Sequence, residues 1–198
     1  MIRRSLLQVA ALLLFGPLLA SPLQAAPGIV RVAVKTTAGS FVVAVDTKRA
    51  PITAKNFLAY VDKHFFDGTT FYRAARAVGN PRLGFVQGGV HRDFRRSLPP
   101  IAHEPTSKTG LSHVDGAISM ARREPGSAMG EFFIMVGPAP AMDAKAGDPG
   151  YAVFGKVVSG MPVVRKILAE KTWPGGSGSM KGQLIKQPVK ILEAKRLS

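Results

Sequence analysis

The chain has 198 residues, no cysteine and a formal charge of +15. Its length is enough for one domain with a hydrophobic core, and the lack of cysteine excludes disulfide bonds as a source of stability. The charge predicts weak attraction to polyanions or anionic membranes, although a charged surface also serves solubility. No helix-turn-helix, zinc-finger or ribonucleoprotein-type motif accompanies the basic residues, so we expect no specific nucleic-acid partner.

The N-terminus has the three-part pattern of a secretory signal peptide. Two arginines precede an apolar run over residues 6–20, and small residues follow it. The run is short for a membrane span, and the small residues favour cleavage over the alternative, a retained membrane anchor. We expect cleavage after Ala25 or Ala26, which removes residues 1–26 and leaves one exported domain over residues 27–198.

The rest of the chain alternates between short apolar runs and turn-forming residues. Runs with strand character cover residues 30–36, 41–45, 70–73, 85–89, 116–121, 131–136, 151–158 and 189–194. Residues 51–63 and 161–170 instead space their apolar residues as helices do. Strands near both ends favour a mainly β, closed antiparallel barrel, because closure removes exposed strand edges. The two helices would cap this barrel or pack beside it.

Arg73 stands out because it lies among the aromatic residues of a short apolar run. A guanidinium there either serves a site or extends from a strand edge into solvent. The four histidines lack metal-ligand spacing, and no G-x-S-x-G motif accompanies His113 and Asp115. The glycine-rich residues 175–182 lack the Gly-Lys-Ser/Thr of a phosphate loop and favour a plain turn. We therefore expect no metal, no cofactor and no covalent intermediate.

Taken together, these segments resemble the cyclophilin-type peptidyl-prolyl cis-trans isomerases, most of all their exported bacterial members. The resemblance is carried, in family order, by residues 36–41, 50–66, 69–73, 85–89, 116–133, 142–143, 150–160 and 189–197. It implies a closed eight-stranded antiparallel barrel with two capping α-helices. It also implies a periplasmic isomerase that accelerates rotation about X-Pro bonds in exported proteins and so assists their folding. Its partners would be proline-containing polypeptide clients, and we expect a monomer.

The resemblance also assigns the site. Arg73 matches the family's catalytic arginine, which would stabilise the twisted amide while an apolar pocket holds the proline ring. Twisting makes the prolyl nitrogen a hydrogen-bond acceptor, so a fixed guanidinium stabilises the twisted state more than the planar one. The residues that match substrate-binding positions are Phe85, Gln87, Ala121, Arg122, Glu131, Phe133, Met142 and Tyr151.

Several residues depart from the family pattern. Tyr72 replaces the usual histidine beside the arginine, and Glu131 replaces a glutamine. Glu131 could pair with the catalytic arginine, and either orient it or neutralise it. Gly84 falls where the family has a pocket phenylalanine, after a link over residues 74–83 that is longer than the family's. Ala141 replaces a tryptophan that grips cyclosporin in the best-known members, so we expect weak cyclosporin binding.

Two other functions stay open at this point. The same fold could be a non-catalytic or weakly catalytic module that binds proline-containing peptides, as Glu131 and Gly84 suggest. The charge alone suggests a polyanion-binding envelope protein, whose binding would fall steeply with salt. A prolyl isomerisation assay separates these functions from the leading one.

Overall fold

The computed structural model describes residues 27–91 and 93–198. The predicted signal peptide, residues 1–26, lies outside the described residues. The strands are β1 (Ile29–Thr36), β2 (Gly39–Asp46), β3 (Thr70–Ala77), β4 (Asn80–Gly89), β5 (Ala117–Met120), β6 (Glu131–Val136), β7 (Ala152–Ser159), β8 (Thr172–Trp173) and β9 (Leu184–Arg196). The α-helices are α1 (Pro51–Asp62), α2 (Thr106–Thr109) and α3 (Met161–Leu168), and 3-10 turns cover Phe94–Arg96, Pro140–Met142 and Gly178–Met180. No helix in these ranges is long and apolar enough to cross a membrane.

Eight strands form a closed antiparallel barrel. Their order around it is β1-β2-β7-β5-β6-β4-β3-β9, and pairing of β1 with β9 closes the circle. The two-residue strand β8 pairs only with β9 and stands outside this circle. The predicted eight-stranded barrel is thereby confirmed, together with its two longer helices, α1 and α3. The sequence did not predict the one-turn helix α2 or the short strand β8.

The barrel core is aromatic at the end that helix α1 covers. The Phe57 ring lies 5.0 Å from that of Phe154 and 5.5 Å from that of Phe132, centre to centre. Phe132 also packs edge-on against Phe66 and Phe71. All five rings are almost fully buried. Burial of such side chains is worth about 2–3 kcal/mol each relative to exposure, so this cluster fixes α1 on the barrel.

The long polar segment between β4 and β5 anchors the start of helix α1. Ala50 at the N-cap makes no side-chain capping bond. The buried carboxylate of Glu104 takes that role, since it accepts from the backbone N–H of Ile52 at 3.2 Å and of Thr53 at 2.6 Å. The Thr53 hydroxyl donates to the same carboxylate at 2.7 Å. An anion at this end also interacts favourably with the helix dipole.

Strands β3 and β4 form one hairpin that is longer than the sequence suggested. The predicted link over residues 74–83 is mostly strand, with a turn at Val78 and Gly79. The pairing shifts from Arg76 opposite Gly84 to Ala77 opposite Asn80, so the extra residues of β4 bulge outward near the tip. Gly84 has φ +137°, and a Cβ there would lie 2.0 Å from the Ala75 carbonyl oxygen. The hairpin therefore requires glycine at position 84, where the family resemblance implies a pocket phenylalanine.

A second irregularity lies at Tyr72. Phe71 pairs with Gly88 and Arg73 pairs with Gln87, so Tyr72 is an extra residue in β3. Such a bulge breaks the strict alternation of side chains along a strand. The result is that Tyr72 and Arg73, although adjacent in sequence, both reach the side chain of Gln87.

Candidate active site

The candidate pocket is built around Phe133 on the outer face of β6. Phe133 is paired across the sheet with Gln87 of β4 on one side and Ser119 of β5 on the other. Its ring lies 5.2 Å from the Phe85 ring and 5.4 Å from the Tyr151 ring, the latter perpendicular to it. The apolar residues that complete this cluster are Leu111, Ala117, Ala121, Met135, Ala139, Met142 and Val153. The structure thus brings together the predicted wall of the proline pocket.

Arg73 lies beside this wall and is fixed by three hydrogen bonds. Its Nη1 donates to Gln87 Oε1 at 2.9 Å, its Nε to Gln183 Oε1 at 2.8 Å, and its Nη2 to the Ser179 carbonyl at 3.0 Å. The guanidinium carbon lies 5.0 Å from the centre of the Phe85 ring. A guanidinium has five N–H donors, so two remain for a ligand. Arg73 is therefore held against the pocket wall and is not a strand arginine extended into solvent.

Burial changes the acid-base behaviour of two groups here. Burial lowers the pKa of the Arg73 guanidinium from its ordinary value. The group stays charged at neutral pH, because an arginine pKa lies far above 7. Burial also raises the pKa of the Tyr72 hydroxyl, and the nearby carboxylate of Glu131 adds to this increase. Tyr72 therefore keeps its proton and can donate it in a hydrogen bond.

Glu131 lies at the start of β6 and contacts Arg73 only indirectly. Its Oε1 accepts from the Tyr72 hydroxyl at 2.9 Å and lies 2.5 Å from His91 Nδ1. All three bonds of the Arg73 guanidinium go to other groups. The suggested direct pair between Glu131 and Arg73 is therefore wrong in this structure, because Tyr72 and Gln87 lie between the two charges.

Arg122 lies against the other side of the pocket wall. Its guanidinium carbon lies 4.9 Å from the centre of the Tyr151 ring. Its Nε donates to the Gly150 carbonyl at 3.1 Å, and Nη2 donates to the same oxygen. Ala121, the preceding residue, donates its backbone N–H to the Glu131 carbonyl at 2.9 Å. These contacts place the predicted Ala121–Arg122 pair next to the pocket.

A serine, a histidine and an aspartate meet beneath the pocket. His113 Nδ1 lies 2.6 Å from Asp143 Oδ1, and His113 Nε2 lies 3.1 Å from Ser119 Oγ. The set resembles a hydrolase triad in composition, but Ser119 is fully buried and no substrate could reach its hydroxyl. The His113 ring instead stacks 5.8 Å from the Phe133 ring. Its role is to support the pocket floor, while Asp115 binds elsewhere, to Arg165 and the Gly137 backbone.

Sequence reasoning missed three groups at this site: Gln183, the Ser179 carbonyl and His113. Gln183 and Ser179 belong to the glycine-rich turn before β9, and Gln183 is 110 positions from Arg73. The backbone N–H of Ala74 donates to the Gln183 carbonyl at 2.9 Å, which ties this turn to β3. The turn is thus part of the site and not a plain connection. The available signal was a polar amide at the end of a glycine-rich loop, which is too common to identify a contact.

Among the described residues, neither a metal-binding cluster nor the surface cavity coincides with the pocket. Within residues 27–91 and 93–198, no group of three or more histidine, cysteine, aspartate or glutamate side chains is placed to hold a metal. A surface cavity of about 410 Å³ lies apart from the site residues. It is lined by Thr47, Pro51, Lys55, Leu58, Ala59, Asp62 and Arg196. The chemistry that the site offers is an apolar wall beside a fixed cationic hydrogen-bond donor.

The known proteins whose sequences resemble this chain include peptidyl-prolyl cis-trans isomerases. Residues 30–196 match the family model described as cyclophilin type peptidyl-prolyl cis-trans isomerase/CLD. A peptidyl-prolyl cis-trans isomerase of Acinetobacter baylyi is 36% identical over 81% of this chain and 82% of its own length. Peptidyl-prolyl cis-trans isomerase A of Dickeya dadantii is 39% identical over 77% of this chain and 78% of its own.

Solved structures agree at the level of the fold. A cyclophilin type peptidyl-prolyl cis-trans isomerase of Cryptosporidium parvum superposes with a TM-score of 0.63, at 19% identity. The match covers 86% of this chain and 98% of that one. A second structure of that protein, described as in the presence of the dipeptide Ala-Pro, superposes with a TM-score of 0.65 at the same 19% identity. It covers 85% of this chain and 99% of that one.

Proposed function

This chain belongs to the cyclophilin-type peptidyl-prolyl cis-trans isomerases, and we propose that Arg73 is its catalytic residue and exported proteins are its substrates. The observation that carries the assignment of Arg73 is its position: a guanidinium fixed by three hydrogen bonds beside an apolar wall, with two N–H donors free. The Cryptosporidium relative, whose structure was solved in the presence of Ala-Pro, supports a proline-containing peptide as the ligand.

The reaction needs no bond to be made or broken. Resonance in the X-Pro amide gives rotation a barrier of about 18–20 kcal/mol. Twisting removes that resonance, and the prolyl nitrogen becomes pyramidal and able to accept a hydrogen bond. Arg73 donates to this nitrogen in the twisted state, while Phe85, Phe133 and Met142 hold the proline ring. An interaction that is present only in the twisted state lowers the barrier and does not tighten ground-state binding.

The other predicted residues around the pocket either orient Arg73 or contact the peptide. Gln87 holds Arg73 in place and lies next to Phe133 across the sheet. Ala121 offers its backbone at the edge of the pocket, and Arg122 stacks on Tyr151 and offers an unused N–H to a client carbonyl or carboxylate. With an apolar wall on one side and these polar groups around it, the pocket selects proline by shape and the neighbouring residues by hydrogen bonding.

The proposed clients and location follow from the N-terminal sequence. The signal-peptide pattern of residues 1–26 directs the domain to the periplasm, where an isomerase would accelerate the folding of exported proteins. Uncatalysed X-Pro isomerisation takes tens to hundreds of seconds, slow enough to limit folding. A monomer suffices, because every residue of the site comes from one chain.

The test of the function is isomerisation of an Ala-Pro tetrapeptide by the purified protein. We expect exchange between cis and trans forms that is faster than the uncatalysed rate and saturates with peptide concentration. Measurable peptide binding with no acceleration would favour the alternative, a proline-peptide binding module on the same fold. Binding that is restricted to polyanions and falls steeply with salt would favour an envelope polyanion-binding protein.

A further inference from the structure

A directed chain of hydrogen bonds leads from Glu131 to Arg73. Arg73 Nη1 donates to Gln87 Oε1, and Gln87 Nε2 donates to the Tyr72 hydroxyl at 2.6 Å. The Tyr72 hydroxyl donates in turn to Glu131 Oε1 at 2.9 Å. Gln87 and Tyr72 are buried, so neither has solvent as an alternative partner. Each member of the chain therefore depends on the next for its orientation.

The hydrogen bonds between Arg73 and Glu131 can be donated in only one direction. A guanidinium has no acceptor, so Gln87 must present its amide oxygen to Arg73 and its NH₂ to Tyr72. The Tyr72 oxygen must then accept, and its proton has to point to an acceptor on another side. The carboxylate of Glu131 supplies that acceptor, and an ionised carboxylate can do nothing but accept. The guanidinium at one end and the carboxylate at the other thus favour the same orientation of the Gln87 amide and the Tyr72 hydroxyl.

Neighbouring groups hold the side chains of Glu131 and Tyr72 in place. The His91 ring stacks on the Tyr72 ring, 4.3 Å between centres, and its Nδ1 lies 2.5 Å from Glu131 Oε1. The bulge at Tyr72 is what lets this side chain share a face with Arg73. Glu131 remains only partly exposed, so its carboxylate is confined and not free in solvent.

We infer that Glu131 is a positioning residue for prolyl isomerisation, acting on Arg73 through Tyr72 and Gln87. The inference rests on the proposed role of Arg73. Without the acceptor at position 131, the buried Tyr72 hydroxyl loses the partner of its proton and turns toward another acceptor, so its oxygen no longer holds the Gln87 NH₂ in place. The Gln87 amide oxygen then no longer fixes Arg73 Nη1 in the position from which the guanidinium meets the twisted amide. The pocket wall is not part of this chain, so ground-state peptide binding stays in place.

The test compares kcat and KM of single variants. We expect Glu131→Ala to lower kcat roughly tenfold with KM nearly unchanged, because the donor is misplaced and the pocket is intact. Glu131→Gln keeps an acceptor oxygen and should recover most of the lost rate. Glu193→Ala is the matched control, because it removes another partly exposed carboxylate, one that pairs with Lys195 on β9. We expect this variant to keep the kcat of the unaltered protein. The inference would be overturned if Glu131→Ala kept the kcat of the unaltered protein, or if Glu131→Gln were as slow as Glu131→Ala.

A double-mutant cycle tests the route. Tyr72→Phe removes the hydroxyl and keeps the ring, and we expect it to lower kcat as far as Glu131→Ala does. The double variant should be no slower than Tyr72→Phe alone, since Glu131 then has nothing to act through. Losses that multiply would show that Glu131 acts by another path and would contradict the inference. If the unaltered protein is active but the cycle fails, the role of Glu131 is refuted and the proposed function stands. If the unaltered protein itself is inactive, the proposed function is refuted.

Discussion

Arg73 is held by three groups from two other parts of the chain: Gln87 of β4, and Gln183 and the Ser179 carbonyl from the turn before β9. Three anchors on a long side chain remove most of its rotamer freedom before the substrate arrives. The cost of ordering is thus met during folding and not during the reaction. Such ordering before binding is what the catalytic role proposed for Arg73 requires.

The His113 side chain makes the pocket floor sensitive to acid. Burial lowers the pKa of His113 below its ordinary value of 6.5, and this effect outweighs the opposing influence of Asp143. Folding therefore favours the neutral ring. Its contribution to stability is complete above pH 6.5 and is lost as the pH falls through the lower, folded-state pKa.

We therefore expect His113→Gln to reduce the loss of stability that occurs between pH 7.5 and pH 5. The measurement is the free energy of unfolding in urea at both pH values. His64→Asn is the control, because it removes an exposed histidine, and asparagine tolerates the positive φ of 56° found there. The same loss of stability in the His113→Gln variant as in the unaltered protein would show that His113 does not produce the effect.

At the scale of elements, helix α1 depends on a residue far from it in sequence. Glu104 accepts two backbone N–H groups at the start of α1, where no local side chain caps the helix. We expect Glu104→Ala to lower the free energy of unfolding by about 2 kcal/mol, because it leaves those donors without a partner in a buried place.

The control for this prediction is Glu124→Ala, which removes an exposed carboxylate and should change stability by under about 0.5 kcal/mol. Thermal or urea unfolding of the three proteins supplies the comparison. Equal stability of both variants would mean that water replaces the Glu104 cap at no cost, contrary to what the burial of Glu104 implies.

The hairpin of β3 and β4 shows what the sequence could and could not predict. Alternating apolar residues and the family resemblance were enough to predict the barrel and the wall residues around Phe133. They could not predict the bulge at Tyr72, because it depends on pairing with both β4 and β9. Arg73 was the wrong partner to suggest for Glu131 for the same reason, because in a regular strand Tyr72 would point away from Gln87. Contacts over long separations, such as Arg73 with Gln183, leave no local pattern to read.

At the scale of the whole molecule, export is the prediction that lies outside the described residues. If residues 1–26 are a signal peptide, the protein recovered from the periplasm of a Gram-negative host begins at Ala26 or Pro27. Intact-mass analysis of that fraction measures the N-terminus directly. A chain that begins at Pro27 after an added methionine is the control and should stay in the cytoplasm. An uncleaved protein in the membrane fraction would support the retained anchor instead.

The catalytic role proposed for Arg73 is tested by measuring kcat/KM for an Ala-Pro tetrapeptide. We expect Arg73→Ala to lower kcat/KM roughly 100-fold, the effect typical of losing one fixed donor to a transition state. Arg31→Ala, which removes a partly exposed arginine from β1, is the matched control and should keep the rate of the unaltered protein. Full activity of a folded Arg73→Ala variant would show that Arg73 is not the catalytic residue.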